Sequence, residues 1–76
     1  MSAQRPRKYS LVKFDFTDLP PKALKYCPFR KDRLYVFFGE IPNMKGHCIV
    51  MDHKTGKMYS GYHTEHFIEL AEDEVP

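Results

Sequence analysis

Between residues 34 and 67 the apolar residues fall into three short runs separated by turn chemistry: LYVFFGE at 34–40, HCIVM at 47–51 and MYSGY at 58–62. Runs of this length, rich in β-branched and aromatic residues, predict strands in an antiparallel meander. The connection DHKTGK at 52–57 holds Gly56 where a three-residue hairpin loop needs a left-handed residue. With Lys54, Thr55 and Gly56 as that loop, His53 stands opposite Lys57 and Met51 opposite Tyr59. Ile49 then faces Gly61, Cys48 faces Tyr62 and His47 faces His63. Side chains alternate between the faces of a strand. This register therefore groups Cys48, Val50, Met58 and Tyr62 on one side, and His47, Ile49, Met51, Tyr59 and His63 on the other. Both sides carry apolar residues, which suits a small, strongly curved sheet covered on both faces.

Before the meander, residues 9–16 alternate, with Val12, Phe14 and Phe16 on one face and Lys13 and Asp15 on the other, the pattern of a half-buried strand. Thr17-Asp-Leu-Pro-Pro21 ends it, and Thr17 or Asp18 is placed to cap a short helical turn over Pro20 to Leu24. The basic connection 22–33 contains Tyr26, Cys27, Pro28 and Phe29, apolar groups that predict anchoring to the sheet. The run at 34–40 is almost continuously apolar, as expected of a central strand covered on both faces, and Gly39 predicts a bend or bulge at its end. Residues 41–46 form a loop. Residues 64–71 predict one helical turn at Thr64, Glu65 and His66, then a short closing strand from Phe67 to Leu70.

Five short strands with a long first connection predict an all-β fold. The economical arrangement is a small SH3-like five-stranded barrel with a short helical turn near residues 18–25, since closure removes exposed strand edges. An OB-like barrel and a small α+β fold are the alternatives. The expected organisation is a disordered basic arm at 1–8, one small β-barrel domain at 9–71 and an acidic tail at 72–76. At 76 residues the core is small. Aromatic residues, 14% of the chain, supply most of what can be buried.

Charge changes the picture. Residues 1–33 hold nine Lys and Arg against Asp15, Asp18 and Asp32, a net of +6, while 65–76 hold five acids and no Lys or Arg. Such asymmetry points to a basic arm for nucleic acid or an acidic partner, or to termini that attract each other. Two cysteines, Cys27 and Cys48, make no secreted disulfide framework. No signal peptide or apolar stretch of membrane-spanning length is present, so a cytoplasmic protein without membrane contact is expected.

The sharpest cluster of reactive side chains is histidine. Directly opposed strand residues bring their Cβ atoms to about 4.5–5.5 Å, which pairs His47 with His63, and His66 follows at helical spacing. Tetrahedral zinc needs four converging ligands, and the spacing matches no zinc-finger pattern. Surface or aromatic-packed histidines are the preferred reading, and no metal or other cofactor is expected. His47 and Cys48 point to opposite faces and cannot form a dyad. The four glycines are scattered rather than gathered into a phosphate loop, and no catalytic constellation appears.

Binding is the expected role. Ile41 and Met44 in the 41–46 loop, with Tyr59 and Tyr62 near them, form the first candidate surface, for a protein partner; exposed Met and Tyr are enriched at interface centres. The alternative is single-stranded nucleic acid, with Arg5, Arg7, Lys8, Arg30, Lys31 and Arg33 for phosphates and Tyr26, with Tyr9, Tyr35 and Tyr59, for stacking. No RNA-recognition signature accompanies them. Oligomeric state is not legible in this sequence.

Overall fold

The first strand begins later than the alternation suggests. The computed structural model describes residues 5–75, and in it β1 is Leu11–Phe14. Tyr9, expected within that strand, sits in a turn with φ 68°. Its amide donates to the Phe37 carbonyl, and the amide of Ser10 donates to the Arg7 carbonyl at 3.1 Å. The turn hands the chain onto the sheet and fixes where β1 starts.

The other strands are β2 Tyr35–Glu40, β3 His47–Asp52, β4 Met58–His63 and β5 Phe67–Glu69. They form one antiparallel five-stranded sheet in the order β4-β3-β2-β1-β5. β2 is central, as its apolar run predicts. The chain is all-β with little helix. β4 and β5 are the two edges, and no ladder joins them among the described residues. The molecule measures 32 × 30 × 30 Å, nearly equal in all directions.

One face carries the core. Val12 and Phe14 of β1, Tyr35 and Phe37 of β2, Cys48 and Val50 of β3 and Phe67 of β5 are buried together with Phe29 from the long connection. Phe29 is the hub. Its ring stacks on Phe14 at 4.8 Å and meets Tyr35, Tyr59, Tyr62 and Phe67 at 4.8–5.2 Å. The Tyr35 hydroxyl accepts the Arg30 amide at 3.0 Å, so the buried phenol is satisfied where the connection enters the core. The outer face has its own small cluster, with Tyr9 edge-on to Phe38 at 5.6 Å.

The helical turn is α1, Pro21–Tyr26, with a proline at its start as expected. Neither Thr17 nor Asp18 caps it: position Pro20 carries no side-chain cap bond. Thr17 is occupied elsewhere, its hydroxyl and amide both donating to Asp15. Downstream, a 3₁₀ turn at Thr64–His66 precedes β5, which matches the predicted turn and closing strand.

The β3–β4 register departs from expectation in a consequential way. His47 opposes His63 and Cys48 opposes Tyr62, as predicted, but Ile49 opposes Ser60, Val50 opposes Tyr59 and Met51 opposes Met58. The ladder shifts between Cys48 and Ile49, and Gly61, at φ +87°, is the extra residue. The hairpin loop is correspondingly four residues, 53–56: Asp52 donates its amide to Lys57, and Gly56 donates to the Asp52 carbonyl, both at 2.8 Å. Tyr59 is thereby turned onto the Cys48–Val50 side, and Met58 goes to the other. The expected pairs His53–Lys57, Met51–Tyr59 and Ile49–Gly61 do not form.

Candidate functional site

The bulge at Gly61 shapes the most distinctive surface of the molecule. Tyr59 and Tyr62 are three residues apart yet lie on one face, with their rings against Phe29 at 5.0 and 4.8 Å. Beyond Tyr62, an apolar cleft of about 210 Å³ opens between α1 and the far end of β4. Its floor is Phe14, Phe29 and Tyr62. One wall is Leu19, Ala23, Tyr26, Cys27 and Pro28, and the other is Gly61, His63 and His66. Nothing stands within 4 Å of where a Gly61 Cβ would be, so the β4 backbone is uncovered there. Tyr26 is 79% exposed at the rim and Leu24 50% exposed on the same helix.

Each predicted site residue can now be placed. Tyr59 and Tyr62 are half-buried and face the core, Tyr62 reaching the cleft floor. Ile41 is half-buried in the β2–β3 loop, where its amide bonds to the His47 carbonyl, and Met44 is exposed. Neither lines the cleft. Sequence reasoning missed the cleft because its walls come from residues 19–28 and 61–66, which only the fold brings together. Gly61 is the signal that was available. A glycine inside an otherwise strand-like run marks a bulge or an uncovered backbone.

The basic residues are largely engaged. Arg5 pairs with Glu40. Arg7 grips Glu69 with its guanidinium at 2.7 and 2.9 Å and with its amide at 2.7 Å. Arg33 pairs with Asp52 at 2.8 Å, and Lys13 with Glu74 at 3.0 Å. The basic and acidic ends of the chain therefore meet. Of the expected arm, residues 1–4 lie outside the described residues, while Pro6 is buried and Arg7 is tied to β5. Lys8 and Tyr9 stack, the ammonium 5.3 Å from the ring, and Lys31 lies 5.8 Å from the Phe16 ring. Arg30 is exposed, and Tyr35 is buried in the core.

Two carboxylates act as joints. Glu40 receives the Gly46 amide at 2.8 Å and the Thr64 hydroxyl at 3.3 Å, in addition to Arg5. It ties the arm, the β2–β3 loop and the 3₁₀ turn together. Asp52, 3% exposed, receives the amides of Lys54 and Thr55 at 2.8 and 3.0 Å and orders the hairpin. Burial pushes its carboxyl up, but the Thr55 amide, the Arg33 guanidinium and the Lys54 amide outweigh that and hold it below the ordinary carboxylate value. The Arg7 guanidinium likewise holds Glu69 low. Among the described residues every buried side-chain N and O has a partner.

The histidines form a row. His47 and His63 have ring centroids 4.5 Å apart, and His63 and His66 5.8 Å. His66 also leans on Phe14, and His47 Nδ1 lies 3.1 Å from the Lys45 carbonyl. Among the described residues no group of three or more His, Cys, Asp or Glu side chains is arranged to hold a metal ion. Cys27 and Cys48 are both free thiols. Cys48 is buried, which pushes its thiol up and away from nucleophilic character. No helix among the described residues is long and apolar enough to cross a membrane. No protein-family model, curated protein or solved structure matches the chain.

Proposed function

We propose that this protein is a small non-catalytic binding module that recognises an extended segment of another protein. The observation that carries this reading is the apolar cleft lying against the open edge of β4. An edge strand offers unpaired backbone groups along one side, and an adjacent apolar pocket takes one side chain of the added strand. The strand order and the 3₁₀ turn before β5 support an SH3-like barrel as the architecture. Free Cys27 and Cys48 support a reducing compartment such as the cytoplasm.

Single-stranded nucleic acid is the second reading, favoured by the exposed Tyr26 ring with the Lys25 ammonium 5.9 Å from it. It has less support, because Arg5, Arg7 and Arg33 are already paired with carboxylates.

Selection of displayed random peptides on the full chain, repeated on Ala23→Arg, tests the first reading. Clones that bind the native chain and lose the variant support cleft docking. Clones indifferent to the variant, or none at all, contradict it. A mixed-sequence oligonucleotide run in parallel reads out the alternative: its affinity should fall steeply with salt if phosphates are contacted.

A further inference from the structure

The surroundings of the cleft specify the chemistry of what it takes. None of the residues lining it carries a carboxylate. Three lysines each stand over an aromatic ring, one of those rings a wall residue and the other two packed against the floor. Lys25 is 5.9 Å from the ring of Tyr26, a wall residue, and Lys31 is 5.8 Å from Phe16, which packs on the floor residue Phe14 at 4.8 Å. At the start of β4, Lys57 is 5.4 Å from Tyr59, whose ring meets the floor residues Phe29 and Tyr62. None of these three lysines is in an ion pair among the described residues. Lys22 and Arg30 add exposed positive charge on the α1 side. The opposing acids are Asp15, which lies beside His66 with its carboxylate held by the Thr17 amide and hydroxyl, and the exposed Asp18, Asp32 and Glu65. Elsewhere Arg5, Arg7, Lys13 and Arg33 are matched with carboxylates, while Lys8, Lys45 and Lys54 are in no ion pair among the described residues.

We propose that the cleft and the β4 edge take an extended acidic segment of a partner protein, seating one large apolar side chain between α1 and His66 while carboxylates run past Lys25, Lys31 and Lys57. This rests on the docking reading above and adds the partner's chemistry. The pocket's size and its aromatic floor fit a single Phe- or Leu-sized group. The uncovered backbone at Gly61 lets the segment approach β4 closely. Of the chain's own acidic stretch, the Glu74 carboxylate is engaged at Lys13 and the Ala71 amide.

The test is an amide NMR titration of the full labelled chain with two short synthetic peptides. One carries acidic residues on both sides of a central phenylalanine, and its twin carries lysines in their place. The acidic peptide should shift amides of 58–63 and 21–29, and bind about tenfold more tightly than the twin at low salt. In Lys25→Glu/Lys31→Glu, exposed changes that leave the core untouched, that preference should vanish or reverse. Equal affinity for the two peptides overturns the charge assignment while leaving the docking reading standing. Shifts from neither peptide overturn both. Tighter binding of a mixed-sequence oligonucleotide at the same amides overturns the proposal in favour of nucleic acid. Shifts that appear on concentrating the protein without peptide overturn it in favour of a second copy.

Discussion

Gly61 is the residue on which the geometry of β4 turns. At φ +87° it occupies backbone space that side chains with a Cβ enter only under strain. Gly61→Val should cost about 1–3 kcal/mol, read as a lower denaturant midpoint with unchanged slope. It should also disturb the Tyr59 and Tyr62 resonances first. Phe29 is the second decisive residue. Its ring is buried among five other aromatics, so Phe29→Ala should cost about 3–5 kcal/mol. In a domain whose total stability sits toward the low end of roughly 5–15 kcal/mol, that removes most of the margin, and the melt followed by near-ultraviolet circular dichroism should shift to a much lower temperature. Asp52 is the third. Its carboxyl is held low in the fold, so its stabilisation is present above the unfolded carboxylate value and is lost as the pH falls through the folded one. Asp52→Asn should therefore lie further below the native chain in thermal midpoint at pH 7 than at pH 3.

At the scale of elements, much was legible and the misses have physical causes. The three runs at 34–62, the central position of β2 and the turn-then-strand at 64–70 follow from periodicity and turn residues. The β3–β4 register was half legible. His47–His63 and Cys48–Tyr62 match a count from a three-residue loop only because the real loop is four residues and the Gly61 bulge offsets the difference; between turn and bulge the longer loop puts Tyr59 on the opposite face. The shortened β1 has a similar origin, because the alternation of side chains carries no trace of Tyr9 entering the left-handed region. The helix cap went astray because Thr17 found a nearer partner in Asp15. The cleft was illegible in sequence because its two walls are separated by the whole meander. Edge position carries its own prediction. In the free protein, amides of β4 that do not bond to β3 should exchange with solvent faster than those of β2, as measured by deuterium exchange.

At the scale of the whole molecule, the charge asymmetry read from the sequence is an internal clamp as well as a surface property. Arg7–Glu69 and Lys13–Glu74 join the basic beginning to the acidic end across β1 and β5. Glu69, Glu74 and Asp15 join Asp52 in titrating below their ordinary values. The unfolded chain consequently binds more protons in acid, and stability should decline as the pH drops through about 4 and below. Thermal midpoints across that range check this. The apolar cleft lies outside this clamp. Deuterium exchange of β4 with and without a saturating cleft-selected peptide tests docking at the cleft most directly. The β4 amides not bonded to β3 should become protected on binding, together with amides around Tyr26. Protection that leaves β4 unchanged and falls instead on the 41–46 loop or on the basic residues 5–8 would contradict it.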